Sequence, residues 1–163
     1  MNYSDMLMSI ATAQWEKLDA HEAIFGTTDE VNTNGDGFGF SQDFLLKVGL
    51  LLAGVPNVQF KVTNFNRDNM TLLEDLWVPI TDAVRIAVEL VAKFGFSNSS
   101  LSASNAVLPI AYFLYRKGMP VGLVSHASFR QDRASIRTWL TRSLLKRGVR
   151  GSGLDSLLSL IHI

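Results

Sequence analysis

Apolar residues recur at intervals of three and four positions along most of this 163-residue chain, which is the spacing of one face of an α-helix. The pattern is clearest over 132–146. Its stripe of apolar and small residues consists of Ile136, Trp139, Leu140, Ser143 and Leu144. A longer pattern covers 69–94 and contains Pro79, which should kink or split that helix because proline lacks a backbone N–H donor. These spacings predict an all-α fold.

Polar capping residues and a glycine-rich segment divide the chain into about seven helices. Ser4, Asp19, Ser41 and Ser104 each mark the start of a predicted helix. Residues of these types cap helices because their side-chain oxygens accept hydrogen bonds from the first backbone N–H groups. The stretch 32–40 is rich in Gly and Asn and is predicted to be a loop. Helices of this length, joined by short loops, predict an irregular multi-helix bundle.

The end of the chain suggests that residues 1–163, a single helical domain or subdomain, are a fragment of a larger protein. A last helix is predicted over 154–161, and the chain runs on to Ile163 with no capping residue and no polar tail. Helices usually end with glycine, asparagine or a basic last turn. We therefore expect the natural chain to continue. If the chain is instead a protein–protein interaction module, the apolar end 157–163 docks on an absent domain or on a second copy of the chain.

Composition excludes several classes of protein. The absence of cysteine excludes a disulfide scaffold and any cysteine-ligated metal site. The longest apolar run, 48–55, is about half of the ~20 residues that a membrane-spanning helix needs. Residues 1–8 lack the basic start of a signal peptide. We expect a cytoplasmic protein with no membrane partner.

Charged residues are divided unevenly along the chain, although the net charge is zero. Residues 1–110 carry 6 Lys and Arg against 13 Asp and Glu, whereas residues 111–163 carry 9 against 2. The candidate nucleic-acid-binding residues lie in the second part and are Arg130, Arg133, Arg137, Arg142, Lys146, Arg147 and Arg150. Basic clusters can neutralise DNA phosphates. The alternative is structural: the arginine stems lie along the apolar stripe, and acidic residues of the N-terminal helices pair with the charges.

Two loops contain residues that suit ion binding. In the stretch 32–43, the ligand positions of a calcium loop are occupied by Asn32, Asn34, Asp36 and Asp43. Only two of these are carboxylates, so calcium would bind weakly, and the alternative is a simple turn between helices. The glycine-rich turn 147–153 precedes a predicted helix. It could hold an anion on its backbone N–H groups, or it could only join two helices.

No catalytic constellation stands out. The three histidines are far apart in sequence and belong to no metalloprotease or serine-hydrolase motif. The carboxylates of the 69–94 helix suit ion pairs on a solvated face, Asp82 with Arg85 and Glu89 with Lys93. We therefore expect no catalytic residues, no metal and no cofactor in this chain.

Four segments, taken together and in order, resemble a known family. They are YSDMLMSIATAQW at 3–15, FKVTNF at 60–65, FGF at 94–96 with NAVLPIAYFLY at 105–115, and IRTWLTRSLLK at 136–146 running into Gly-Ser-Gly. They resemble the C-terminal helical part of the N-terminal domain family of GmrSD-type restriction endonucleases. These are bacterial phage-defence proteins with a ParB-like nuclease/NTPase domain. The resemblance covers nearly the whole chain.

The resemblance implies a module without its own chemistry. In the family, an Asp-Gly-Gln-Gln-Arg motif of the ParB-like part is linked to nucleotide hydrolysis, and nuclease chemistry lies in a separate His/Asn-type domain. Neither occurs here, since the single Asp-Gly pair, Asp36-Gly37, continues to Phe38. The resemblance therefore implies a non-catalytic helical subdomain of a modification-dependent restriction protein whose full-length form is a nucleotide-dependent nuclease.

The partners implied by the resemblance are the missing N-terminal ParB-like domain of the same protein and DNA, contacted through the basic C-terminal part. A second copy of the chain, forming a homo-oligomer, is a further candidate. The alternative function is a protein–protein or intra-chain docking module without nucleic-acid binding.

Overall fold

The computed structural model describes residues 2–56 and 61–146, and within these ranges the chain forms seven α-helices and no strand. The helices are α1 (Tyr3–Ala13), α2 (Ala20–Asn32), α3 (Gln42–Leu52), α4 (Arg67–Asp75), α5 (Trp77–Lys93), α6 (Val107–Arg116) and α7 (Arg130–Leu145). Short 3-10 turns lie at Val62–Asn64, Ser104–Ala106 and Ala127–Phe129. The predicted all-α fold is confirmed. The predicted helix over 154–161 lies outside the described residues.

Polar side chains begin four of the helices. Asp19 and Ser41 cap α2 and α3, as predicted, by accepting from the backbone N–H three residues later. Asn66 caps α4 in the same way. The prediction of Ser4 as the first cap is wrong: Asn2 accepts from the N–H of the residue at position 5, whose carboxylate accepts in turn from the N–H of Asn2. This reciprocal pair fixes the start of α1 two residues earlier.

The long pattern over 69–94 is split, as predicted. The break falls at Leu76, between α4 and α5, three residues before Pro79. As the third residue of α5, Pro79 occupies the first turn, where a backbone N–H has no acceptor within the helix, so its missing donor costs little. The prediction that an α-helix starts at Ser104 is wrong: a 3-10 turn starts there, and α6 begins at Val107.

Helix α5 lies at the centre of the bundle and contacts α2, α3, α4 and α6. Its buried side chains are Trp77, Ile80, Thr81, Ala83, Val84, Ala87, Val88, Leu90 and Val91. Burial of one large aliphatic side chain contributes about 1.5–3 kcal/mol, so this helix is a large contributor to the core. Close packing continues at Gly49 of α3, where a Cβ atom would lie 2.5 Å from a methyl carbon of Leu73.

Helix α7 lies at the edge of the bundle. Leu140 is its one buried residue among those described, while Ile136, Trp139 and Leu144 are half-buried against the core. The predicted stripe is therefore the packed face of α7. Most other residues of the helix are exposed, and this leaves the basic side chains outside the core.

The carboxylate of Glu74 holds the connection between α1 and α2. Glu74 lies in the last turn of α4 and is only 6% exposed. Its oxygens accept hydrogen bonds from three consecutive backbone N–H groups, at 3.1 Å from Glu16, at 2.8 Å from Leu18, and from Lys17 between them. Three donors that lie between α1 and α2 are thus paired with one buried charge.

These hydrogen bonds set the ionisation of Glu74. Burial by itself raises the pKa of the carboxyl, but the N–H groups of Leu18, Lys17 and Glu16 more than offset this effect, and the net pKa lies below the usual 4.5. A lowered pKa in the folded state means that the unfolded chain binds protons more readily. The resulting stability is fully present above pH 4.5 and is lost as the pH falls through the lower pKa of the folded state.

We predict that Glu74→Gln lowers the free energy of unfolding by about 1–3 kcal/mol at neutral pH, because charged acceptors form the stronger hydrogen bonds. The difference from the unsubstituted protein should shrink as the pH falls below 4.5. Urea unfolding followed by circular dichroism across a pH series measures both effects.

The matched control is Asp75→Asn, the neighbouring carboxylate, which forms an exposed ion pair with Lys17. Exposed pairs contribute about 0–1 kcal/mol, so this variant should stay close to the unsubstituted protein. Equal stability of the two variants at neutral pH would contradict the role assigned to Glu74.

Candidate nucleic-acid interface

An open groove of about 790 Å³ lies between the end of α5 and one face of α7. Its lining residues are Lys93, Phe94, Val124, Arg133, Ala134, Arg137, Thr138, Thr141 and Arg142. None of these described lining residues is acidic, and four are cationic. The groove is therefore a site of concentrated positive charge.

The face of α7 in the groove follows from helical spacing. Ala134, Arg137, Thr138 and Thr141 recur at intervals of three and four residues, so they project from one side of the helix. Thr141 donates its hydroxyl hydrogen to the carbonyl of Arg137 at 2.9 Å. The apolar stripe packs elsewhere against the core, which leaves this polar face in the groove.

Arg133 has a structural role in the groove wall. Its Nη1 donates to the carbonyl oxygens of Leu123 at 2.8 Å and of His126 at 2.7 Å. The guanidinium thereby ties α7 to the turn that precedes it. These contacts support the structural alternative for Arg133. Because its Nη1 already donates to two carbonyl oxygens, its charge is only partly available to a ligand.

The turn held by Arg133 requires glycine at position 122. Gly122 has φ +80°, a conformation that side chains rarely adopt, and a Cβ atom there would lie 2.7 Å from the imidazole ring of His126. The carbonyl of Gly122 accepts from the N–H of His126 at 2.8 Å. This compact turn places Val124 in the groove wall beside α7.

Three other cations of the groove have no acidic partner in the described part of the chain. Within residues 2–56 and 61–146, Lys93, Arg137 and Arg142 form no hydrogen bond or ion pair through their charged groups. The described ion pairs all lie between residues 16 and 85. The expected pairing of acidic N-terminal helices with the basic residues of α7 is therefore not found in the described part of the chain.

The two ion pairs predicted on α5 have different outcomes. Asp82 and Arg85 form the predicted pair at 3.2 Å, and Arg85 also reaches Glu30 of α2 at 3.0 Å. The prediction that Glu89 pairs with Lys93 is wrong, because no such contact forms between these two exposed side chains. Lys93 is instead part of the groove.

The structure brings together only part of the predicted basic set. Arg133, Arg137 and Arg142 line the groove together. Arg130, at the start of α7, and Lys146, just after its end, are exposed but do not line the groove. Arg147 and Arg150 lie outside the described residues, as does the glycine-rich turn 147–153.

Sequence reasoning missed the groove residues that α7 does not supply. Lys93 and Phe94 come from the end of α5, and Val124 comes from the turn before α7. Local spacing carries no signal for these contacts, because they join positions about 10 to 50 residues apart in the chain and depend on how the helices pack. Thr138 and Thr141 could have been found by following the polar face of α7.

The predicted calcium loop is held by its own hydrogen bonds. The side chain of Asn32 accepts from the N–H of Phe40 at 2.8 Å and donates to its carbonyl at 3.0 Å. Asp43 accepts from the hydroxyl of Ser4. No group of three or more His, Cys, Asp or Glu residues that could hold a metal occurs in the described ranges. These contacts favour the alternative of a structural turn.

No described helix combines the length and the apolar character needed to cross a membrane. No protein-family model matches the sequence, and no curated protein matches it significantly. The resemblance to the GmrSD-type family therefore stays a prediction, based on the four segments described above.

We predict that Arg133→Met destabilises the attachment of α7. Methionine keeps an apolar stem but removes the donor to two carbonyl oxygens, which should lower the free energy of unfolding by about 1 kcal/mol. Backbone amides of 130–146 should exchange with deuterium faster than in the unsubstituted protein. Arg130→Met is the matched control, since Arg130 is an exposed cation on the same helix with no partner in the described part. Equal exchange in both variants would refute this structural role.

Proposed function

We propose that this chain is a non-catalytic helical module that contacts the phosphate backbone of DNA through one face of α7. The observation that carries the proposal is the group of cations in the groove, Lys93, Arg137 and Arg142, which have no acidic partner in the described residues. Unneutralised cations that face the same space repel one another. Binding of phosphate groups would relieve this repulsion and release counterions.

The chemistry of these side chains suits phosphate. Arginine offers a planar fork of N–H donors that matches two phosphate oxygens, and lysine provides a compact positive charge. The hydroxyl groups of Thr138 and Thr141 in the same groove can also contact phosphate oxygens. Contacts of this kind position a protein on DNA without reading its sequence.

We further propose that the module belongs to a phage-defence protein of the GmrSD type, in which a ParB-like domain of the same protein supplies nucleotide-dependent chemistry. The support for this step is the ordered resemblance of four segments. Three of the four contribute to α-helices of one bundle: 3–15 contains α1, 105–115 covers most of α6, and 136–146 covers most of α7.

A docking module without nucleic-acid binding is the second candidate. The observation that favours it is the shallow attachment of α7, which buries Leu140 fully but leaves Leu145 78% exposed. Val121, near the start of the turn before α7, is 92% exposed. Apolar side chains at these positions suit a protein partner, and association through them would depend on protein concentration rather than on salt.

We predict that Arg137→Glu/Arg142→Glu abolishes binding to duplex DNA. Binding of the unsubstituted protein should weaken steeply with salt, with a log-log slope of about one per phosphate contacted. Fluorescence anisotropy with a labelled duplex across a salt series measures affinity and slope together. Arg133 is left unchanged here because its reversal would also disturb the turn that it holds.

The matched control is Arg116→Glu/Lys117→Glu at the end of α6. It makes the same change in net charge with two exposed side chains that do not line the groove. This variant should retain most of the binding. No binding of the unsubstituted protein at low salt, or equal losses in the two variants, would count against a DNA contact at the groove. Concentration-dependent self-association that is insensitive to salt would support the docking module.

A further inference from the structure

The lining of the groove is of two chemical kinds. Lys93, Arg137 and Arg142 are cationic, whereas Phe94 and Val124 are apolar. The volume of about 790 Å³ lies within the range of about 300–1,000 Å³ that is typical of small-ligand sites. A phosphate group alone would use the cationic side chains and leave the apolar ones without a partner.

The two kinds of side chain fit different parts of one nucleotide. In a duplex, the faces of the bases are stacked on one another, so only phosphates, sugars and base edges are accessible. In a single strand, each base presents a flat face that can stack on an aromatic side chain while the backbone follows a basic groove. Only the second arrangement gives both kinds of side chain a partner.

We infer that the groove receives a segment of single-stranded DNA, with one base stacked on Phe94 and the adjacent phosphates at Arg137 and Arg142. This inference rests on the proposed DNA contact and adds to it the form of DNA that enters the groove. Single strands arise wherever a duplex is opened. Such a strand uses both the cations and the ring of Phe94, whereas an intact duplex contacts the cations alone through its phosphates.

Phe94 is held in place for such stacking. It caps the C-terminus of α5, where its backbone N–H donates to the carbonyl of Leu90 at 2.9 Å, and its half-buried side chain packs against the core. Gly95 then takes φ +91° and turns the chain away from the helix axis. A ring that is already fixed by its neighbours loses little conformational freedom when a base stacks on it.

The test compares two labelled strands of equal length in fluorescence anisotropy at low salt. One is oligodeoxythymidylate and the other is an abasic strand, which keeps the phosphates but has no bases. We expect the unsubstituted protein to bind the thymidine strand at least about fivefold more tightly than the abasic strand, since one stacked base contributes at least that much. Equal affinities for the two strands would overturn the inference, whatever the behaviour of any variant.

The variant Phe94→Leu tests whether the preference for the thymidine strand over the abasic strand depends on this ring. Leucine keeps an apolar side chain that can pack against the core but removes the aromatic face, so the variant should bind both strands equally. Phe113→Leu is the matched control, because Phe113 is also half-buried against the core but lies on α6 away from the groove. It should retain the preference. Retention of the preference in Phe94→Leu would also overturn the inference.

The duplex experiment separates this inference from the proposed function. If the protein binds duplex DNA in a salt-dependent way but binds the thymidine and abasic strands equally, only base stacking is refuted. The proposed phosphate contact then stands. No binding of duplex or of either strand at low salt refutes both. Thermal unfolding of each variant confirms that the folded state is compared throughout.

Discussion

The packing of α5 between its neighbours is the constraint on which the rest of the structure depends. This helix contacts α2, α3, α4 and α6, and both of its ends have consequences. At its start, the break at Leu76 separates it from α4, whose Glu74 carboxylate holds the connection between α1 and α2. At its end, Lys93 and Phe94 form one side of the groove. The packing of α5 in the core therefore sets the positions of these two groove residues.

The core is largely complete without α7, and this explains why the basic residues remain outside it. One residue of α7 is buried in the described part of the chain, compared with nine in α5. A helix that contributes so little apolar area needs a further attachment, which Arg133 provides through two carbonyl oxygens of the preceding turn. Arg133 thus stabilises the fold, whereas Arg137 and Arg142 line the groove and have no partners in the described residues.

The basic residues of α7 therefore have different roles, although they form one cluster in the sequence. The sequence offered seven basic residues as candidate DNA contacts. Residue spacing predicts on which side of a helix a residue lies, but not what packs against that side. In the structure, three of them line one groove, two are exposed beside it, and two lie outside the described residues. The charge reversal most informative for DNA binding accordingly involves Arg137 and Arg142 rather than Arg133.

The sequence by itself determined the features that depend on near neighbours. The spacing of apolar residues predicted an all-α fold, Asp19 and Ser41 were recognised as helix starts, and Pro79 indicated a split in the long pattern. Hydrogen bonds within one helical turn decide all of these. Even so, the first cap is Asn2 rather than Ser4, because the reciprocal hydrogen bonds of Asn2 and Asp5 start α1 earlier and the Ser4 hydroxyl donates instead to Asp43 of α3.

Only the tertiary structure decided which distant residues meet. Nothing in the local sequence of α5 indicates that Lys93 would line a groove with Arg137 rather than pair with Glu89, or that Phe94 would line the same groove. The carboxylate of Glu74 likewise finds its three N–H donors more than 50 residues away. Such contacts depend on how whole helices pack against one another, since the core excludes water over many side chains at once and no short segment specifies that arrangement.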